Sequence, residues 1–267
     1  MNALRLYGRY VSASLRAQMQ YPTATLLLTA GHLAATAVEL LGMFALFHRF
    51  GDVRGWSFGE VALFYGLINI TFSIADMLSR GFDVFGTEFV RTGAFDRVLL
   101  RPRSATLQLL GYEVRLSRIG RMLQGLAVVV LATHLAPIHW DPATVAIAVW
   151  AVAGGVALFA GILVLQATIC FWTIESLEAI NVLTYGGVQA AQYPLNIYAD
   201  WFRRVLTFGV PLACVAYYPV LAILKRPDPL GAPDWILPLT PLAGFVFLGL
   251  SFLAWRAGVA RYASTGS

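Results

Sequence analysis

Six apolar stretches, each long enough to cross a lipid bilayer as a helix, constrain the fold of this chain more than any other feature. A crossing helix needs about 20 predominantly apolar residues. The stretches lie near residues 23–47, 57–78, 119–136, 143–171, 203–224 and 235–257. Of the 267 residues, 58% are hydrophobic and 12% are charged, about half the charged share of a soluble domain. The sequence therefore predicts an all-α polytopic integral membrane protein with six transmembrane helices, and excludes a soluble enzyme, a disordered chain and a secreted disulfide scaffold.

Basic residues are distributed unevenly between the segments that connect these stretches. If the N-terminus is inside the cell, 15 of the 19 basic residues fall on the cytoplasmic side and four on the other, namely Arg49, Arg54, Lys225 and Arg226. Lysine and arginine concentrate in cytoplasmic loops of membrane proteins. We therefore expect a multi-pass protein of the cell inner (plasma) membrane with both termini cytoplasmic. The same distribution accounts for the pI near 9.4 without a nucleic-acid partner.

Residues 1–22 have the pattern of a separate amphipathic helix. Apolar side chains recur at three- and four-residue spacing, and arginines occupy another face. Such a basic, amphipathic helix is suited to lie at the surface of the lipid bilayer, and Pro22 separates it from the first span. Residues 23–267 then form the six-span domain, which includes a long cytoplasmic loop at 80–118.

The loop at 80–118 is too charged to span the membrane and too apolar to be a simple linker. Exposed phenylalanine and leucine side chains in a loop indicate a surface for a partner protein, although the loop could instead fold back onto its own bundle. Gly93 and Pro102 bracket a predicted helix of about two turns.

Polar side chains inside the first two spans are candidates for a translocation path. His32 and Glu39 share a face of the first span, and Asn69, Ser73 and Asp76 share a face of the second. Burying ionisable groups in lipid is costly, so these side chains should face the bundle interior or a cavity. They could line a substrate path, or they could make hydrogen bonds between helices, with Asp76 near Arg80 at a helix end.

The fifth apolar stretch is interrupted by Pro211 and Pro219, with Tyr217 and Tyr218 between them. Proline of this kind ends or kinks a helix. We expect the span to end early and residues 220–224 to dip back from the outer face as a re-entrant element, which includes Tyr217, Tyr218 and Pro219.

Motifs for catalysis and for nucleotide or metal binding are missing from the sequence. There is no G-x-x-x-x-G-K loop, no H-E-x-x-H and no C-x-x-C. Cys170 and Cys214 lie in apolar segments at different depths, which argues against a disulfide between them. The chain is therefore predicted to bind no metal or cofactor itself and not to be an enzyme.

Two motifs resemble the permease subunits of ABC-2 type exporters, the type-2 family of ATP-binding cassette transporters. One is Phe95-Asp96-Arg97-Val98-Leu99-Leu100-Arg101-Pro102, and the other begins at Tyr193-Pro194-Leu195-Asn196-Ile197-Tyr198 and continues to Pro219. The similarity extends over essentially the whole chain, with its amphipathic first helix, six spans, long first cytoplasmic loop and broken fifth span.

The resemblance implies a half-transporter that works with separate ATPase subunits. Two permeases, identical or related, would join two cytoplasmic ABC ATPase subunits, which bind the ATP and Mg²⁺. A coupling helix in the 80–118 loop would seat in the ATPase through apolar side chains and charged or flanking residues: Phe95, Leu99 and Leu100, with Asp96, Arg97, Arg101 and Pro102. A second cytoplasmic contact would come from residues 175–200, with Glu178, Tyr193 and Tyr198.

Other classes of membrane protein remain open at this point. A secondary carrier or channel would have similar spans without needing a cytoplasmic surface for an ATPase, and a membrane scaffold subunit would also fit.

Overall fold

The computed structural model describes residues 3–173 and 182–262 of the chain. Within these ranges the protein is helical, and the only β interaction is an isolated bridge between Val53 and Trp56. This confirms the predicted all-α polytopic fold.

Five of the helices are long and apolar enough to cross a membrane. The five spans contain α2 (Pro22–Phe50), α3 (Phe58–Leu78), α7 (Ile119–Leu135), α8 (Pro142–Ile169) and α13 (Leu242–Arg261). For α7 and α13 the span includes the preceding 3₁₀ turn and begins at Leu116 and Leu237. The α3 helix lies at the centre and is buried over most of its length, packed between α7 and α8, and α8 packs along α13. The last contact is close, since a Cβ atom at Gly244 would lie 1.9 Å from the carbonyl oxygen of Gly154.

Side-chain caps define where two of these helices begin. Ser57 and Glu60 form a reciprocal capping box at the start of α3, which satisfies amide groups that have no partner within the helix. Asp141 accepts a hydrogen bond from the Thr144 amide at 2.7 Å. The backbone and side-chain hydrogen bonds from Thr144, with a smaller effect of Lys225, lower the pKa of the Asp141 carboxyl to about 2.

The bundle has two ends, which we call the loop face and the turn face. The loop face carries residues 79–118, with short helices α4 (Arg80–Asp83), α5 (Ala94–Leu99) and α6 (Ala105–Leu110) and a π-helix at Phe85–Val90. The helix α1 (Ala3–Met19) also lies here and contacts α6. The turn face carries the short connections at 51–57 and 136–141.

The fifth crossing of the membrane lies earlier in the chain than the sequence predicted. Phe171 is on the loop face, where its ring packs 5.2 Å from that of Phe85. Asn196 is on the turn face, where its side-chain oxygen accepts a hydrogen bond from the Trp56 indole at 3.0 Å. The chain therefore crosses the bundle between these two residues. The described part of this crossing includes a π-helix at Val182–Gly186, α9 (Gly187–Ala191) and a 3₁₀ turn at Leu195–Ile197.

The segment that follows, which the sequence assigned to a span at 203–224, begins and ends on the turn face. After Asn196 it forms α10 (Asp200–Arg204), a π-helix at Val205–Gly209, α11 (Leu212–Val215) and α12 (Tyr217–Leu224), bent by 72°. Its far end is also on the turn face, because Arg226 donates to Glu60 at 2.6 Å. The predicted fifth span is therefore wrong, and the whole segment is a re-entrant hairpin.

This correction changes the count of basic residues on each side. Arg203 and Arg204 move from the loop face to the turn face, which leaves 13 basic residues on one side and six on the other. The excess remains on the loop face, so the positive-inside argument still favours that face as the cytoplasmic one.

Candidate coupling surface and polar strip

The short helix α5 occupies the position that the sequence predicted for a coupling helix. Gly93 precedes it with a φ of 65°, a left-handed conformation that side chains other than glycine rarely adopt. The helix ends at Leu99, and the Gln108 side chain donates to the carbonyl oxygen of Val98 at 2.9 Å. Gly93 and Pro102 thus bracket the helix as expected, and a neighbouring hydrogen bond holds its last turn.

Residues of the predicted motif divide between an exposed side and a buried side. Leu100 is 83% exposed and Leu99 is 41% exposed. The remaining exposed residues of the motif are Arg97, Arg101 and Pro102, whereas Asp96 is half-buried. Two leucines in water beside arginines form a compact surface with both apolar and charged groups. We call Leu99, Leu100 and Arg101 the exposed tip of α5.

Phe95 does not belong to this surface, which corrects the expectation that it contacts a partner. Its side chain is fully buried, and its ring packs against those of Phe85 at 4.9 Å and Tyr262 at 5.0 Å. Burying a phenylalanine side chain contributes about 1.5–3 kcal/mol to stability. Phe95 therefore anchors α5 to the bundle.

Aromatic side chains from three parts of the chain meet around Phe95. The cluster combines the loop at 80–118, the end of α8 and the end of α13. Trp255 of α13 is central to it, with its ring 5.0 Å from Phe85 and 5.2 Å from Phe171. Edge-to-face contacts such as the one between Phe85 and Trp255 add about 0.5–1.5 kcal/mol each beyond burial. The cluster therefore connects α5 by direct ring contacts to the ends of α8 and α13.

Charged residues fix both ends of the loop where it leaves the membrane. Asp76, in the last turn of α3, forms a buried ion pair with Arg118, just before α7. Arg80 forms an ion pair with Asp83 and lies 3.9 Å from Glu113. Burial raises the pKa of the Asp83 carboxyl above its usual value, against the opposing effect of Arg80.

Two of the predicted path residues, Asn69 and Ser73, lie inside the bundle. Each is about 1% exposed. Asn69 accepts a hydrogen bond from the Arg121 guanidinium and donates to the carbonyl oxygen of Tyr65. Arg121 also lies over the Phe72 ring, 5.1 Å from its centroid. In this conformation Asn69 holds α3 against α7 and does not line an opening.

The other two path residues, His32 and Glu39, are only half-buried on α2. His32 lies 3.4 Å from a guanidinium nitrogen of Arg118. Glu39 accepts a hydrogen bond at 3.2 Å from Gln189, which belongs to the fifth crossing. The two candidates therefore sit in different surroundings, one near the loop face and one further into the membrane.

Gln189, which contacts Glu39, and Tyr185, four residues before it, are polar residues of the fifth crossing, and sequence reasoning missed both. Each is exposed on the side of the bundle, and the ring of Tyr185 packs 5.7 Å from that of Phe72. We call Glu39, Tyr185 and Gln189 the polar strip. The missed signal was the mixture of apolar and amide side chains at 182–192, which the sequence analysis assigned to a cytoplasmic segment.

Other residues that the sequence predicted to be functional lie in the re-entrant hairpin or next to it. Tyr217 is buried, and its hydroxyl donates to Asp228 at 2.9 Å. Tyr218 is half-buried and Pro219 is buried beside it. Tyr193 and Tyr198, expected at a second cytoplasmic contact, instead flank the Asn196 turn on the turn face. Glu178 lies outside the described residues.

Groups of three metal-ligating side chains are not found among the described residues. Cys170 and Cys214 are free thiols.

One protein family matches most of the chain. The family described as "ABC-2 family transporter protein" matches residues 33–266. The chain belongs to this ABC-2 family. The match covers both the loop with α5 and the re-entrant hairpin, so this ABC-2 protein is a membrane component of a transporter. Searches of curated proteins and of solved structures find no match.

Proposed function

We propose that this ABC-2 protein is the permease subunit of an ATP-driven exporter and couples to a separate ATPase through the exposed tip of α5. The chain itself binds no cofactor in this proposal. Two ATPase subunits at the loop face bind ATP and Mg²⁺, and a second permease, identical or related, completes the translocation path. The loop face is then cytoplasmic.

The observation that carries the proposal is the contrast between the two sides of α5. Phe95 is fully buried, while Leu100, five residues later, is 83% exposed. Exposed leucines on a structured, anchored helix favour a protein partner. Neighbouring Arg101 supplies charge for the same contact.

The aromatic cluster provides a route for the ATPase to act on the membrane helices. When two ATPase subunits close around ATP, they move the exposed tip of α5 that each one binds. Because Phe95 packs against Trp255 and Phe171, movement of α5 displaces the loop-face ends of α13 and α8. Packed interiors shift between discrete arrangements rather than deforming continuously. Alternating access between the two faces follows from such a shift.

The polar strip supports a path between two permeases. An ionisable side chain that is half-exposed at membrane depth is costly against lipid, and normally faces protein or a water-filled cavity. Glu39 is in this situation, and the neutral amide of Gln189 donates a hydrogen bond to it. A second permease that covers this side would place two such strips opposite each other across the path.

Co-purification with the ABC ATPase encoded nearest to this gene tests the proposal. We expect the wild-type chain to retain the ATPase in detergent with a non-hydrolysable ATP analogue, and Leu100→Glu to lose it. Arg49→Ala is the control, because it also changes the charge by one unit but lies at the end of α2 near the turn face. Undiminished retention by Leu100→Glu, or no retention by the wild type, would overturn the proposal.

A further inference from the structure

A groove of about 580 Å³ lies between α1, the first half of α2 and residues 112–117. It is at the level of the membrane surface, because α1 is amphipathic and α2 enters the bilayer from Pro22. Leu26 and Leu27, beside the groove on α2, are 68% and 74% exposed, and exposed leucines on a membrane-spanning helix are expected to face lipid. The groove is therefore accessible from the loop-face leaflet as well as from water.

Specific hydrogen bonds hold the walls of the groove in place. The Ser14 hydroxyl accepts from the Val114 amide at 2.9 Å, and the Gln18 side-chain oxygen accepts from the Leu116 amide at 3.0 Å. Both residues are on α1, so they fasten this helix to the segment before α7. The space that remains between the walls is a formed feature of the fold.

Charges at the polar end of the groove have both signs. Arg115 and Glu113 line it and form an ion pair with each other, with 3.5 Å between the Arg115 Nε atom and a Glu113 carboxylate oxygen; the side chains are 28% and 36% exposed. Deeper in, His32 lies beside Arg118, whose charge is already compensated by Asp76. An arginine binds a phosphate through two parallel hydrogen bonds, and a carboxylate accepts hydrogen bonds from a primary ammonium group.

We propose that this groove binds a phospholipid with an ethanolamine headgroup. Arg115 binds its phosphate, Glu113 accepts hydrogen bonds from its ammonium group, and the upper part of an acyl chain lies along Ala24 and Leu28. A headgroup that carries both charges complements Arg115 and Glu113 together. A purely anionic headgroup would instead place negative charge beside the Glu113 carboxylate. The lipid would brace α1 against the membrane, independently of any ATPase.

Native mass spectrometry of the full chain in detergent tests this proposal. Phosphatidylethanolamine, phosphatidylglycerol and phosphatidylcholine with the same acyl chains are titrated separately. We expect the ethanolamine lipid to bind at least about tenfold more tightly than the other two, because only it offers both a phosphate and a hydrogen-bonding ammonium. Equal binding of the three lipids would overturn the proposal.

Variants locate the binding site. Arg115→Ala and Glu113→Gln should each remove the preference for the ethanolamine lipid, while Arg103→Ala, an exposed arginine of the same loop outside the groove, should retain it. Leu28→Trp fills the groove without changing its charge and should weaken binding even if Arg115→Ala fails to fold. Wild-type lipid preference in Arg115→Ala together with wild-type affinity for the ethanolamine lipid in Leu28→Trp would overturn the proposal.

Soluble phosphoethanolamine distinguishes the lipid from a free phosphate ester. We expect no displacement of the bound lipid by this compound, because it has no acyl chain to lie against α2. Displacement at equal concentration would identify a soluble ligand and overturn the assignment to a lipid.

Discussion

Arg118 forms a buried ion pair with Asp76, and this pair joins the end of α3 to the start of α7 across the whole 80–118 loop. The two side chains are 9% and 2% exposed. The loop that presents α5 is therefore closed at its base by a contact that solvent does not screen. Its position relative to the membrane helices is set by this pair and by the aromatic cluster around Phe95.

Replacing one partner of the ion pair should lower the free energy of unfolding more than its share of the loss caused by replacing both partners. Asp76→Ala or Arg118→Ala leaves an uncompensated charge in a dry site, which typically costs about 3–5 kcal/mol. We expect the double variant to lose less than the sum of the two single losses. A double-mutant cycle on the free energy of unfolding in detergent measures this difference. Strictly additive losses would show that the two charges do not stabilise each other.

The two sides of α5 should respond differently to truncation. Phe95→Ala removes a fully buried ring and should lower the free energy of unfolding by about 3–5 kcal/mol. Leu100→Ala, at an 83% exposed position, should change it by less than about 0.5 kcal/mol. Thermal unfolding of the purified variants without an ATPase checks both. Similar losses in the two variants would contradict the assignment of Phe95 to the interior and Leu100 to the surface.

Local sequence patterns predicted where α5 lies but not which of its residues faces outward. Gly93 and Pro102 act on the backbone of their immediate neighbours, so the helix between them could be inferred directly. Whether Phe95 is buried depends on Trp255 and Phe171, which are distant in the sequence. In the sequence, an aromatic residue that anchors a loop to its own protein cannot be distinguished from one that contacts a partner protein.

The fifth crossing was missed for a different physical reason. Hydropathy measures whether a segment can leave water, and a re-entrant hairpin buried among helices is as apolar as a span. The segment at 200–224 therefore resembled a crossing, while residues 182–197, with glycines, glutamines and Pro194, resembled a loop. Glu39 was found because an ionisable side chain within a span is conspicuous, whereas its partner Gln189 was not expected in the membrane.

The buried carboxyl of Asp83 should make stability depend on pH. Burial raises its pKa although Arg80 opposes the effect, so the folded state favours the protonated carboxyl. Its contribution is therefore fully present below the unfolded pKa of about 4 and is lost as pH rises through the folded value. We expect Asp83→Asn to remove this part of the pH dependence in thermal unfolding between pH 4 and 7. An unchanged pH profile would contradict the prediction.

Cysteine accessibility distinguishes the re-entrant hairpin from a fifth span at 203–224. In a background with Cys170→Ala and Cys214→Ala, single cysteines replace Arg204, Asp234 or Arg103, all of them exposed. Arg204 lies before the hairpin's bend and Asp234 after its end, so in a re-entrant hairpin both are on the turn face. We expect a membrane-impermeant maleimide added to intact cells to label the cysteines at positions 204 and 234 from outside. The cysteine at position 103 should react only after the membrane is opened. If 203–224 were a span, positions 204 and 234 would react from opposite sides and positions 204 and 103 from the same side.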